Sequence, residues 1–522
     1  MKKMLKKRVM SILLALAVFS VSLSGIGATA TTSVAAEKKA SMFDNPALIE
    51  ELEKNHNEFE KNYQTKAYTE LRINQSLHGI SKDQFSKNAI EVADKLIANG
   101  YDAYIVGGGT RDFIMGQDSD DFDLVTNATL NDQEKLFGES LKTHPGPEGR
   151  VFGYIDYPEE KIDLATYQNI PKAFAGQPGV PEFDKTSLTS DNVIADSFQR
   201  DFSMNAIYYD MKTDELVDFH DGIYGIWKGI ISPVYKAGIA FQYNPEAIPR
   251  ALRFKAKYGY KFSDELETTI KTKGEEYVRN IDEYQKMNQT NRMWGKGYSY
   301  ECFDQMCGYK VLDEFFAPIK DVFGADYIVT VGNLIKRYEA MSAQEGEDSV
   351  DTQMYIACIL WPVVKKGIDE GGLSFEESVK KTVADLEEGF TLKPYMHDNL
   401  LNDLGRLAKD VGTVSADYDG RMTNTIYVKE KDITKKAITI KVSAKTLKKK
   451  SVSFTVLQKG YGKLTFTNKT TKKALKSKLT FKGTKITLKK KGSKGIYKFV
   501  IKSAADYNYR ETESKTVTLK VA

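Results

Sequence analysis

The residues whose types and spacing best support chemistry lie in 105–126, which reads IVGGGTRDFIMGQDSDDFDLVT. A strand-like run enters the glycine triplet Gly107–Gly109, where absent Cβ atoms let backbone N–H groups approach an anion. Arg111 follows within reach of a phosphate. Asp121 and Asp123 come next in a strand-like run, whose two-residue period places both carboxylates on one face. The stretch therefore predicts an anion cradle followed by a pair of acids.

The acid pair indicates a metal. Two carboxylates this close repel each other unless a cation lies between them, and hard oxygen ligands are those that Mg²⁺ uses. A glycine-rich cradle followed by a metal-binding acid pair is typical of phosphoryl or nucleotidyl transfer. Taken singly, the glycines are more often a simple turn and the acids a solvated strand face, so the prediction depends on their combination.

The elements that must position these residues follow from periodicity. Apolar residues at helical spacing predict helices over 41–80 and 83–99, and helices dominate 245–410. Strands are predicted at 101–106, 121–126, 151–156 and 161–167, while SMNAIYYD begins either a strand or a helix. From about residue 424, seven short alternating runs predict an all-β sandwich. The predicted fold class is α+β multidomain, with a mixed-sheet head, an all-helical neck and body, and a C-terminal sandwich.

The predicted boundaries divide the chain into six parts. These are a signal peptide 1–36, a helical segment 37–82, the head 83–235, the helical neck and body 236–410, a linker 411–423 and the basic sandwich 424–522. Residues 1–36 combine a basic start, an apolar run and small residues, which is the order of a secretory signal. Interrupting serines leave that run shorter than the roughly 20 residues of a membrane anchor, the alternative reading. We therefore expect an exported protein, secreted or at the cell surface, with no transmembrane segment in the mature chain.

Charge divides the mature chain sharply. Residues 421–522 hold 28 Lys and Arg against 5 Asp and Glu, a net charge of +23. Residues 37–420 hold 42 basic against 66 acidic side chains, a net charge of −24. The acidic body disfavours an extended track for RNA phosphates. The basic tail favours an anionic cell-wall polymer or nucleic acid, with simple solubility as the alternative.

The acid-pair segment resembles the first motif of the class II tRNA nucleotidyltransferase (CCA-adding enzyme) and bacterial poly(A) polymerase family. Later segments resemble that family's motifs in the same order: QRDFSMNA (199–206), DFHDGIYGI (218–226), RALRFKAKYGYKFSDELET (250–268) and, more weakly, CGYKVLDEFFAPI (307–319). The resemblance covers about residues 83–325 and implies a polymerase-β-like nucleotidyltransferase head. The last strands of the tail resemble immunoglobulin-like modules of bacterial surface proteins.

The resemblance also implies roles for single residues. Asp121 and Asp123 would bind the catalytic Mg²⁺ ions, and a nucleoside triphosphate (ATP or CTP) would donate its nucleotide to a tRNA-like RNA 3′-hydroxyl. Asp163 sits where the family has a third catalytic carboxylate, with a solvated strand charge as the alternative. The residues expected to bind the nucleotide are Gly107, Gly108, Arg111, Asp112, Arg200, Asp201, Asn205, Asn244, Arg250 and Arg253.

Departures from the family pattern concern nucleotide selection. Gln199 replaces an arginine, so one fixed positive charge is lost. The family reads the base with an Asp and an Arg, which here become either Asn244 with Ala247 or, in a shifted register, Ala247 with Arg250. Either way one partner is alanine, which cannot hydrogen-bond a base edge, so we expect altered base selection. Pro249 would also remove a backbone donor if the helix continues through it.

Two questions stay open at the level of sequence. The chain is either an active nucleotidyltransferase or an exported, non-catalytic surface binding protein that retains the fold. The acceptor and the nucleotide are not specified by any motif. Cys302 and Cys307 could form a disulfide in an exported protein, although they match no zinc-binding pattern.

Overall fold

The structure is a computed structural model, in which residues 42–522 group into one compact unit. The described residues are 41–146, 149–158, 160–345, 350–415, 418, 422, 426–427, 439–442, 451–457, 464–471, 475, 477–482, 485–489, 495–503, 512–513 and 517–521. The predicted signal peptide, residues 1–36, lies outside them.

An eight-stranded mixed sheet forms the head. Its strands are β1 Leu71–Ile73, β2 Tyr104–Val106, β3 Asp123–Thr126, β4 Leu141–Pro145, β5 Val151–Asp156, β6 Lys161–Thr166, β7 Ile207–Asp210 and β8 Glu215–Asp218. Their spatial order is β1-β8-β7-β2-β3-β6-β5-β4. Strands β3 and β6 are parallel neighbours, and the other neighbouring pairs are antiparallel. This confirms the predicted mixed sheet.

Seven α-helices accompany the sheet in the described part of the head and its N-terminal segment. They are α1 Pro46–Asn62, α2 Gln75–His78, α3 Lys87–Ala98, α4 Gly108–Ile114, α5 Leu130–Phe137, α6 Val193–Ser197 and α7 Gly222–Lys228. Helix α3 confirms the prediction over 83–99, and the Ser86 hydroxyl caps it by accepting from the Ala89 N–H at 3.1 Å. The helix predicted over 41–80 is wrong for 71–73, because β1 there pairs with β8 at the edge of the sheet.

Ten α-helices follow among the described residues of the body. They are α8 Ala237–Tyr243, α9 Ala247–Tyr258, α10 Asp264–Arg279, α11 Glu283–Met293, α12 Ser299–Gly308, α13 Leu312–Phe315, α14 Ala325–Glu345, α15 Thr352–Asp369, α16 Phe375–Glu387 and α17 Pro394–Asp410. Two short parallel strands, β9 Ile230–Ile231 and β10 Lys261–Phe262, precede and interrupt them. One continuous buried apolar cluster runs from Leu48 in the head to Ala408 in the body. The body therefore packs on the head as a shared core.

Cys302, Cys307 and Cys358 are free, so the disulfide considered from sequence is not formed. Glu314 accepts from Arg279 Nη2 at 2.9 Å and from Lys320 Nζ at 2.8 Å, and these bonds lower its pKa to about 2. Among the described residues, no helix has the length and apolar character needed to cross a membrane.

The described part of the tail is all β. Its strands are β11 Ile426–Tyr427, β12 Thr439–Val442, β13 Val452–Leu457, β14 Leu464–Asn468, β15 Leu479–Lys482, β16 Lys485–Leu488, β17 Gly495–Ser503, β18 Thr512–Glu513 and β19 Val517–Val521. They form a sheet ordered β11-β13-β16-β15 and a second ordered β12-β19-β17-β14, with β18 beside β17. A separate apolar cluster, from Val452 to Val521, joins residues of β13, β15, β16, β17 and β19. The prediction of a C-terminal all-β part is confirmed.

Candidate active site

The glycine triplet forms the turn from β2 into α4, beside the acid pair. Gly107 has φ of +86°, a conformation that favours glycine. A Cβ on Gly109 would lie 2.6 Å from the Asp121 carbonyl oxygen, so that position admits no side chain. Cβ atoms on Gly107 and Gly108 would lie 3.6 Å from Asp123 Oδ2 and 3.4 Å from Asp121 Oδ2. The glycines thus leave space directly against both carboxylates.

Three carboxylates converge at this turn. Asp123 begins β3 and is the register partner of Asp163 on the parallel strand β6. Burial and the neighbouring Asp121 and Asp163 raise the pKa of Asp123 to about 6, although Arg200 works against the shift. Burial and Asp163 likewise raise the pKa of Asp121. The prediction that Asp121 lies within the strand is wrong, because it precedes β3, yet its carboxylate still faces the same cluster.

Asp163 is already partnered. Its Oδ1 lies 2.6 Å from Lys161 Nζ, two residues earlier on β6. The described residues contain no cluster of three or more His, Cys, Asp or Glu side chains arranged to hold a metal ion. Asp121 and Asp123 are the two acids whose carboxylates face the glycine turn. The raised pKa values of the two groups and the space left by Gly107 and Gly108 fit a small hard cation between them.

Arg111 lies inside the protein. Its Nη1 donates to Asn205 Oδ1 at 2.6 Å, while Nε and Nη2 donate to Asp112 Oδ1 at 3.1 and 2.8 Å. The guanidinium also lies over the rings of Phe254 and Tyr258, with centroid distances of 5.4 and 5.5 Å. Only 7% of the residue is exposed. Through the contacts just given, Arg111 joins the glycine turn to α9 and to residues 199–206, called the QRD segment below. A direct contact with phosphate stays a prediction.

Asp201 is a second residue that joins these elements by hydrogen bonds. Its Oδ1 accepts from Asn205 Nδ2 at 2.9 Å, and its Oδ2 accepts from Arg250 Nε at 2.6 Å. Burial works to raise the pKa of Asp201, but the Arg250 charge and the Asn205 bond outweigh it and lower the pKa. Because Asn205 also accepts from Arg111, one chain of charge-assisted bonds joins α4, the QRD segment and α9.

Arg200 is held by a residue that the sequence reasoning missed. Asp196, which has no exposed surface, accepts from Arg200 Nη2 at 2.6 Å, from the Tyr208 hydroxyl at 2.8 Å and from the Gln168 N–H at 2.9 Å. The spacing of an acid four residues before an arginine could have signalled this pair. Arg200 lies close enough to Asp123 to lower its pKa, so Asp196 fixes a positive charge beside the carboxylates.

A cleft of about 600 Å³ opens beside these groups. The predicted site residues that line it are Asp123, Asp163, Arg200, Asp201 and Asn244. The other predicted residues are not among its lining: Gly107, Gly108, Arg111, Asp112, Asp121, Asn205, Arg250 and Arg253. The structure therefore brings Asp123, Asp163, one arginine and the predicted selection residue Asn244 to a single cavity, whereas Asp121 and the other predicted residues lie outside its lining.

The segment predicted to select the nucleotide borders the cleft. Asn244 and Ala247 both line the cavity, whereas Arg250 is bonded to Asp201 and does not. The geometry thus favours the register in which Asn244 and Ala247 hold the paired positions. Pro249 falls in the first turn of α9, where backbone donors have no partner within the helix, so the helix tolerates it. Burial lowers the pKa of Arg253, whose guanidinium lies 4.4 Å from the Phe254 ring centroid.

Residues 103–232 match the family described as "Poly A polymerase head domain". The chain is 28% identical over 257 residues to poly(A) polymerase I of Escherichia coli, an alignment covering 47% of this chain and 53% of that protein. It is 29% identical over 189 residues to the CCA-adding enzyme of Staphylococcus aureus, covering 36% and 44% of the two chains. The matches thus span about half the length of these curated relatives.

Among solved structures, the chain is similar to the Thermotoga maritima CCA-adding enzyme complexed with tRNA. That alignment has a TM-score of 0.47 at 16% identity and covers 65% of this chain and 74% of that one.

Proposed function

We propose that this protein is a metal-dependent nucleotidyltransferase that moves a nucleotide from a nucleoside triphosphate to the 3′-hydroxyl of an RNA acceptor. The observation that carries the proposal is the pair Asp121 and Asp123, set against Gly107 and Gly108 at the edge of the cleft. Relatives named poly(A) polymerase I and CCA-adding enzyme support it. The acceptor oxygen would attack the α-phosphorus while the bond to the bridging oxygen breaks, so that pyrophosphate leaves.

Asp121 and Asp123 would hold Mg²⁺, which when bound would stabilise the charge of the reacting phosphate and the attacking oxygen. The chain's own contribution is placement. Arg200, oriented by Asp196, presents a fixed positive charge to an anionic triphosphate in the cleft. The hydrogen bonds of Asp201 and Asn205 hold α9 in a fixed position relative to the glycine turn. Asn244 lies just before the start of α9.

Base selection in this proposal is altered. Asn244 offers an amide to the base edge, but Ala247 offers no partner beside it. A site that leaves part of the base edge unread discriminates poorly, because the wrong base then loses few hydrogen bonds. We therefore expect a broad choice of triphosphate, or a preference set by stacking.

A second candidate function, an exported non-catalytic binding protein, has one specific observation in its favour. Lys161 already neutralises Asp163, the third acid of the expected set. The net negative charge of the body and the proposed export signal also favour the non-catalytic function. In either case, the basic tail, residues 424–522, would bind an anionic wall polymer at the cell surface.

A transfer assay separates the two functions. The mature chain, residues 37–522, is incubated with Mg²⁺ and each labelled triphosphate in turn, with and without RNA. The proposal expects label on RNA with a free 3′-hydroxyl and none on RNA whose terminal 3′-hydroxyl has been removed. Absence of transfer from all four triphosphates under conditions where the triphosphate binds would favour the non-catalytic alternative.

A further inference from the structure

Three aromatic rings share one face of the sheet with the acids. In the β4–β5 pair His144 is the register partner of Phe152, and in the β5–β6 pair Tyr154 is the partner of Asp163. Asp163 is in turn the partner of Asp123. Because register partners project to the same side of a sheet, the three rings and the two acids face the same way. His144, Phe152 and Tyr154 are called the aromatic row below.

The rings of the aromatic row are close and accessible. The His144 centroid lies 5.7 Å from that of Phe152 and 6.0 Å from that of Tyr154. His144 is exposed, and the other two rings are half-buried. His144 and Phe152 line the cleft together with Asp123 and Asp163. A planar ligand that leaves the acids toward β4 would meet these rings first.

The charge around the aromatic row suits a polyanion with planar bases. Lys161 Nζ, which also pairs with Asp163, lies 4.9 Å from the Tyr154 ring centroid, and Lys142 is the register partner of Tyr154. Arg150 lines the cleft beside Phe152. Cations beside stackable rings are the combination that binds single-stranded nucleic acid. This local patch stands out because residues 37–420 carry a net charge of −24.

We propose that the aromatic row is the platform on which the single-stranded 3′-terminal base of the acceptor RNA stacks. The inference rests on the proposed function and specifies how its acceptor is held. Stacking would hold the terminal ribose next to Asp123 without reading the sequence, since every base has a π-face. It also explains how an acidic body can retain an RNA end, because a few local contacts replace an extended basic track.

A purely structural role is the competing explanation, because cross-strand aromatic pairs also stabilise the edge of a sheet. The two roles differ in what they demand of the ligand. If the rings have only a structural role, the affinity for RNA does not depend on whether the RNA carries a terminal base. If the rings form a platform, that affinity falls when the terminal base is removed.

The test uses the full mature chain and a short single-stranded RNA with a fluorescent adenine analogue at its 3′ end, without metal or triphosphate. Stacking on the rings should quench the analogue on binding. The double variant Phe152→Leu/Tyr154→Leu should bind about tenfold more weakly and lose the quenching. The matched control is Tyr157→Leu, which removes a tyrosine just beyond β5 that lines a different depression with Asn88 and Glu160. It should behave as the wild type.

A second arm varies the RNA as well as the protein. The wild-type protein should lose about the same tenfold when the 3′-terminal base of the RNA is removed, and the double variant should lose nothing further. If the loss from the double variant and the loss from removing the terminal base multiply when they are combined, the platform is overturned. It is also overturned if the double variant quenches the analogue as strongly as the wild type does. Nucleotide transfer by the double variant with an unchanged KM for RNA would overturn the platform alone. Quenching without transfer from any triphosphate would contradict the proposed function alone.

Discussion

Removing the Asp196 carboxylate should destabilise the protein and misplace Arg200. Asp196 has no exposed surface and accepts three hydrogen bonds, so Asp196→Ala leaves Arg200, Tyr208 and the Gln168 N–H without this acceptor. Breaking one side of a buried ion pair costs about 3–5 kcal/mol. Since 22% of the Arg200 side chain is exposed, solvent screening places the loss near the lower end, about 3 kcal/mol.

The isosteric change Asp196→Asn separates stability from positioning. It keeps the volume and an oxygen acceptor but removes the charge that orients Arg200, so the free energy of unfolding should fall by about 1.5–3 kcal/mol. If Arg200 binds the triphosphate, KM for the triphosphate should rise by about tenfold, the equivalent of about 1.4 kcal/mol. Urea denaturation gives the first quantity and steady-state transfer kinetics the second.

The control is Asp191→Asn, an exposed acid shortly before α6, which should change the free energy of unfolding by less than about 0.5 kcal/mol. An Asp196→Ala protein as stable as this control would refute the buried-network reasoning. An Asp196→Asn protein that is destabilised but keeps the wild-type KM would refute the positioning of Arg200 for the triphosphate.

Three further predictions concern selectivity, pH and the tail. Asn244→Asp combined with Ala247→Arg should sharpen incorporation toward C and A in competition assays; a wild-type protein that already adds C, C and A in order contradicts this. The pKa of Glu314 lies at about 2, below its ordinary 4.5, so its ion pairs stabilise the fold above pH 4.5 and this stability is lost as pH falls toward 2. Glu314→Gln should therefore flatten that acid-side loss in thermal melts, whereas the exposed control Glu275→Gln should not. The full chain should bind cell-wall material in low salt and release it by about 0.5 M salt, and a chain lacking 424–522 should not bind; equal retention of the shortened chain would refute the tail's role.

The parts of the site that depend on local sequence could be predicted. The strand, glycine turn and acids of 105–126 are contiguous, so spacing alone places them together. The structure differs by starting β3 at Asp123 and by forming helix α4 directly after the first glycine. The edge strand β1 could not be predicted, since its three residues join the sheet through β8, far along the chain.

Contacts between residues far apart in the chain could not be predicted from the sequence for the same reason. The choice between the two registers of the selection segment depends on the bond of Arg250 to Asp201, 49 residues apart. The aromatic row depends on the register of β4, β5 and β6, which periodicity does not fix. Residues that act through tertiary partners are thus the ones that the structure adds.

The central claim is that Asp121 and Asp123 form the metal-binding pair of a nucleotidyltransferase. The most direct measurement is Mg²⁺-dependent incorporation of labelled triphosphate into RNA by the wild type, by Asp123→Asn and by Asp120→Asn, whose exposed carboxylate adjoins the pair. We expect incorporation by the wild type and by Asp120→Asn, and none by Asp123→Asn even though it unfolds at the wild-type temperature or above, because a buried carboxylate with a raised pKa is removed. Incorporation by Asp123→Asn at the wild-type rate, or by the wild type without a divalent metal, would contradict the claim.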